Sequence, residues 1–141
     1  MNKILLPVDG SPDSDAAARH VIDLAGSRPA LDVLLLNVQP AADEWLARRF
    51  LKPEEVAAAM AANGEDALRS ARALLDAAGV RYTALALTGP VAETIAKTAR
   101  EQGCGDIVMG TRGLGAVTGI LLGSVATKVI HFADVPVTLV K

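Results

Sequence analysis

Gly110 and Gly113 follow the apolar run Ile107-Val108-Met109, and the pair Gly123-Ser124 then opens a helical pattern. Glycine has no Cβ, so the backbone can turn sharply there and approach a ligand closely. A serine just ahead of a helix caps free backbone N–H groups, and those groups, with the helix dipole, attract an anion. The order strand, glycine turn, capped helix N-terminus predicts a phosphate site that needs no lysine. A Gly-x4-Gly-Lys-Ser/Thr run is absent, which excludes a P-loop.

Other residues could join this chemistry. Asp9 stands at the end of the first apolar run, where its carboxylate either caps the following turn or accepts from a ribose or base. Arg112 lies inside the glycine motif and either meets phosphate or is solvated. His20 and His131 fall on predicted helices with no Ser, Cys or carboxylate constellation around them, so both read as surface or boundary residues. Cys104, in Gly103-Cys104-Gly105, is the one cysteine. It cannot form an internal disulfide, and it reads as a small buried filler.

The elements that must hold these residues alternate. Apolar runs over 4–8, 33–38, 82–87, 107–109 and 135–140 read as strands, the first buried on both faces. Ser11-Pro12-Asp13 gives a cap, a proline at the first helical position and an acid in the first turn. Ala17, Val21, Leu24 and Ala25 continue that helix until Gly26. Pro53-Glu54-Glu55 starts a long helix with Val56, Met60, Ala67, Ala71 and Leu74 on one stripe, weakened or bent at Gly64 and ending at Gly79. Residues 40–51 read as irregular, carrying Trp45 and Phe50. Gly89-Pro90 opens a helix with Val91, Ile95 and Ala99 inward, closed by Gly103, and Val125, Val129 and Ile130 mark the last. Strands alternating with helices predict an α/β fold, a parallel sheet with helices on both faces and right-handed crossovers.

The 141 residues suit one domain over 1–141. With 51% hydrophobic and only 3% aromatic residues, the core must be aliphatic. Few aromatics and a net charge of −2 argue against a nucleic-acid partner. The N-terminal apolar run is too short for a signal peptide, and no segment approaches the roughly 20 apolar residues that span a bilayer, so a cytoplasmic, non-membrane protein is expected.

The spacing Gly-x2-Gly-x9-Gly-Ser from Gly110 to Ser124, with Pro7-Val8-Asp9-Gly10-Ser11 near the start and Val135-Pro136-Val137 near the end, resembles the universal stress protein family. The resemblance spans residues 3–140. It implies a doubly wound, Rossmann-like five-stranded parallel sheet in the order 3-2-1-4-5, with the ligand where the order reverses between the first and fourth strands. In the ATP-binding branch the glycine spacing is the nucleotide motif. The resemblance carries nucleotide contacts onto Gly110, Gly113, Gly123, Ser124 and Val125, with Met109 at the foot of the motif and Asp9 on the ribose or adenine. Val38 flanks the adenine or is plain core, and Pro7 and Val8 line the base pocket or merely pack. Asn37 stands where many relatives carry histidine, which leaves that side chain without an inherited role. The cofactor implied is ATP or AMP, with magnesium entering on the nucleotide phosphates.

The expected function is an adenine-nucleotide-binding stress-response or signalling protein. Hydrolysis should be slow or absent, since no general base or metal cluster beyond Asp9 is visible. Two other readings stay open. Gly113, Gly115 and Gly119 could serve an NAD(P)-binding oxidoreductase, although they follow the fourth strand and open no helix directly. A ligand-free flavodoxin-like interaction module would leave the glycines unexplained. The segment Val135-Pro136-Val137-Thr138-Leu139-Val140 should lie at a sheet edge, and an apolar edge strand invites pairing with its own copy across a two-fold axis. The resemblance points to the same homodimer.

Overall fold

A computed structural model describes residues 2–41, 49–112 and 122–141. Trp45, Gly113 and residues 114–121 lie outside the described residues. The strands are β1 (Lys3–Pro7), β2 (Asp32–Gln39), β3 (Tyr82–Thr88), β4 (Asp106–Gly110) and β5 (Val137–Val140). The described helices are α1 (Pro12–Ser27), α2 (Pro53–Ala77), α3 (Val91–Glu101) and α4 (Ser124–Phe132). All strand pairs are parallel, in the order β3-β2-β1-β4-β5. The α/β architecture and its strand order are as expected.

Side chains alternate across a pleated strand, so each central strand feeds two cores. Ile4, Leu6 and Val8 of the first strand region join Val33, Leu35 and Val108 under α1 and α2. Leu5 joins Leu34, Leu36, Val38, Ile107 and Met109 under α3 and α4. Among the described residues, neither core holds a Phe or Trp. Continuous apolar runs are what this two-sided burial requires. β3 and β5, at the two edges, are only half-buried.

Helix boundaries follow cap chemistry. Ser11 caps α1, its Oγ accepting from the Ser14 N–H, with Pro12 next and Asp13 and Asp15 in the first turn. The helix runs one residue past Gly26 to Ser27, because glycine at a helix end costs too little to stop it. α2 continues unbroken through Gly64, which is buried where an added Cβ would lie 3.3 Å from the Ala86 Cβ of β3. Its buried stripe is Ala67, Leu68, Ala71 and Leu75, so Leu74 is turned half out. Gly79 and Gly103, at φ +70 and +69, end α2 and α3 in left-handed turns. In each, the next residue's N–H reaches back to Leu75 or Ala99, the Schellman pattern. β5 begins at Val137, two residues later than the apolar run, although the Pro136 carbonyl already accepts from Ile107.

Cys104 is buried, and that burial pushes its thiol up, as suits an inert filler. Asp106 opens β4 half-buried, with the Thr138 hydroxyl donating to its carboxylate at 3.1 Å. Burial pushes its carboxyl above the ordinary 3.8, while Thr138, the Ile107 backbone, Arg28 and His20 pull the other way. The folded chain therefore binds this proton more tightly than the unfolded chain. Stability falls as pH rises from 3.8 through the folded value. Asp106→Asn keeps an oxygen for Thr138 and loses the charge. Its urea midpoint at neutral pH should equal or exceed that of the wild type and vary less with pH. A markedly lower midpoint would show that the charge stabilises the fold.

Candidate functional site

β1 is flanked by β2 on one side and β4 on the other, and connections leave it in opposite directions. Parallel strands end together there, and the diverging connections leave a crevice. A cleft of about 760 Å³ opens at this point, a size that takes a small cofactor. Pro7, Val8, Asp9, Val38, Met109, Gly110, Arg112, Gly123, Ser124 and Val125 all line it. Ten residues singled out from the sequence thus share one cleft, and Gly113 lies outside the described residues. Val91, Ile95 and Leu122 add further apolar surface.

Both strand-end residues have structural tasks beside their place in the cleft. Asp9 lies two residues beyond β1, and its Oδ1 accepts from the Ser11 N–H at 3.0 Å and the Ser14 hydroxyl at 2.8 Å. That carboxylate builds the turn into α1 while lining the cleft. Gly110 ends β4, and an added Cβ would lie 2.7 Å from the backbone of Asp13. The missing side chain is required there by the first turn of α1.

Asp13 also holds the residues just beyond β4. Its Oδ2 accepts from the Arg112 N–H at 3.0 Å and lies 3.4 Å from the Thr111 hydroxyl. The Arg112 Nε is 3.7 Å from the same oxygen, so this guanidinium is paired within the protein. Thr111 is buried, its N–H donating to the Val140 carbonyl and its own carbonyl accepting from the Gly123 N–H at 2.6 Å. One residue thereby joins the end of β5 to the start of α4. In the sequence Asp13 is only a first-turn acid, and Thr111 gives no signal. Their contacts bridge residues far apart in the chain.

The N-terminus of α4 differs from the other helix starts. Gly123 is its cap and Ser124 its first helical residue, with no side-chain cap bond. The expectation that Ser124 caps this helix is thus corrected by one position. Among the described helices, α1 carries Asp13 and Asp15 in its first turn, α2 Glu54 and Glu55, and α3 Glu93. The first turn of α4 carries no acid. A helix start without an acid or a side-chain cap leaves its N–H groups and positive dipole end to attract an anion. That end lines the cleft through Gly123, Ser124, Val125 and Ala126.

The opposite wall is the end of β2. Asn37 is buried, its Nδ2 donating to the Val8 carbonyl at 2.7 Å and its Oδ1 accepting from Gln39 Nε2 at 2.8 Å. The side chain left without an inherited role thus pins the end of β1 to β2. His20 is half-buried and His131 exposed. Among the described residues no group of three or more metal-ligating side chains comes together.

The universal stress protein family model matches residues 1–141. Universal stress protein MJ0531 of Methanocaldococcus jannaschii is 35% identical over 99% of this chain and 81% of its own. The solved structure of hypothetical protein MJ0577 is 28% identical, with a TM-score of 0.85 over 99% of this chain and 95% of that one. Two more distant structures share the fold at a TM-score of 0.70. The universal stress protein of Archaeoglobus fulgidus, in complex with dAMP, is 24% identical over 100% of this chain and 98% of that one. The family protein At3g01520 of Arabidopsis thaliana, with AMP bound, is 21% identical over 100% of this chain and 92% of that one.

The packing around Gly110 makes a direct test. Gly110→Ala drives a Cβ against backbone that cannot swing away and should cost about 1–3 kcal/mol of stability. Gly26→Ala, inside α1 with nothing within 4 Å, should gain about 0.5–1 kcal/mol. Urea denaturation of the two variants separates them. Equal midpoints would mean that Gly110 is not held against Asp13.

Proposed function

The chain belongs to the universal stress protein family, and from that premise we propose that it binds an adenine nucleotide, ATP or AMP, in this cleft. The observation that carries the proposal is the acid-free start of α4 at one end of an apolar crevice. The phosphates lie over Gly110, Gly123, Ser124 and Val125, with Arg112 beside them. The base packs among Pro7, Val8, Val38 and Met109, and Asp9 receives the ribose or the base. Relatives of the same fold solved with AMP and dAMP support an adenine nucleotide as the ligand.

Turnover in this reading is slow or absent. Among the described residues Asp9 is the one carboxylate lining the cleft, and its Oδ1 already accepts two hydrogen bonds. Magnesium would be held by the nucleotide phosphates. No described helix is long and apolar enough to cross a membrane. The protein serves a stress response or signalling in the cytoplasm, where ATP and AMP are at hand.

Ser124→Asp tests the phosphate end. An acid in the first turn stabilises a helix and repels a phosphate. Thermal stability should hold or rise, and calorimetric affinity for ATP should fall at least about tenfold, ~1.4 kcal/mol. Unchanged ATP affinity would move the phosphates elsewhere. In the same titrations, tighter binding of NAD than of ATP or AMP would favour an oxidoreductase, and no binding would favour a ligand-free module.

A homodimer through the C-terminal strand is part of the same proposal. Ile107 donates to the Pro136 carbonyl and Thr111 to the Val140 carbonyl, so even-numbered residues face β4. The backbone groups of Val137 and Leu139 then face the open edge. No charged residue blunts that edge within β5, and Ile130 and Phe132 of α4 are exposed. Light scattering should find a wild-type dimer at micromolar concentration. Leu139→Pro removes one outward N–H without costing a β4 bond and should give a folded monomer. A monomeric wild type, or a dimeric variant, would sink this interface.

A further inference from the structure

The polar relay at the end of β2 can only be wired one way. The Val8 carbonyl can accept but not donate, so the Asn37 amide must turn its Nδ2 toward it, at 2.7 Å. Asn37 Oδ1 is thereby fixed as an acceptor, and at 2.8 Å the Gln39 side chain must present Nε2 to it. The Gln39 amide is then fixed as well, with Oε1 on the side away from Asn37. Asn37 is buried, so the relay is held in low dielectric, where turning it over would set two carbonyl oxygens against each other. Gln39 is half-buried in the cleft wall, across from the anion-attracting start of α4.

Resting on the nucleotide reading above, we propose that Gln39 selects the base, its Oε1 accepting from the exocyclic amine of a 6-aminopurine. Position 6 of adenine carries an N–H donor. Position 6 of hypoxanthine or guanine carries a carbonyl, which would meet Oε1 acceptor to acceptor. A site built to accept from a ligand N–H rejects the analogue that lacks it, because the protein acceptor is left unpaired. Asn37 is the positioning residue, since without it the Gln39 amide could turn and suit either base. Pro7, Val8 and Val38 supply apolar contact that any purine can use.

Titration calorimetry with ATP and ITP decides the matter. The wild-type chain should bind ATP at least about tenfold tighter than ITP. Gln39→Leu, at the last residue of β2, should narrow that ratio to within about twofold. Gln39→Lys offers only donors and should reverse the preference toward ITP, an outcome that a purely structural role would not produce. Equal binding of ATP and ITP by the wild type, or an unchanged ratio in Gln39→Leu or Gln39→Lys, would overturn the inference while leaving nucleotide binding intact. Failure of the wild type to bind either nucleotide would overturn both.

Discussion

The Asp13 carboxylate is the contact on which the rest of the site depends. Parallel strands deliver their ends to one side of the sheet, but nothing in strand pairing decides where the chain goes after β4. Asp13 decides it. One oxygen of that side chain takes the Arg112 N–H and stands beside the Thr111 hydroxyl, while the Asp13 backbone fills the space beside Gly110. Thr111, so held, passes its carbonyl to Gly123 and sets the start of α4. The cleft wall beyond β4 is therefore built from the first turn of α1 outward.

With a net charge of −2, the chain has no broad positive field to gather anions. Attraction for an anion rests on local dipoles instead. Three helix starts are answered by their own acids, each worth about 0.3–1 kcal/mol to its helix. α4 forgoes that stabilisation, and like α2 and α3 it has no side-chain cap. Packing of Ala126 and Val129 into the core keeps the helix in place without them.

Much of this fold is legible in the sequence because buried parallel strands are written locally. The runs over 4–8, 33–38 and 107–109 are apolar on both faces, and Ser11-Pro12-Asp13 is a helix start by side-chain chemistry alone. The cleft residues are legible because their glycines follow a strand. The features that escape a reading of the sequence depend on contacts distant in the chain. Gly110 has the look of a ligand contact, and its lost side chain is required by packing against α1. Asn37 has the look of a polar residue without a task, and its partner, the Val8 carbonyl, lies beyond the end of another strand. The inward stripe of α2 holds Ala67 and Ala71 as its spacing suggests, and it widens to Leu68 and Leu75, which are fully buried while Leu74 is half out.

The central place of β1 also orders events in time. Its pairing with β2 joins elements close in the chain, whereas its pairing with β4 joins Ile4 to Asp106. Chain closure of that length is slow, and N-terminal elements emerge from a ribosome first. A nascent chain carrying β1, β2 and β3 has one half of the crevice and an apolar strand with one flank still unpaired. The other half arrives with β4 and α4. A growing polypeptide therefore lacks the far side of the crevice until β4 and α4 have emerged.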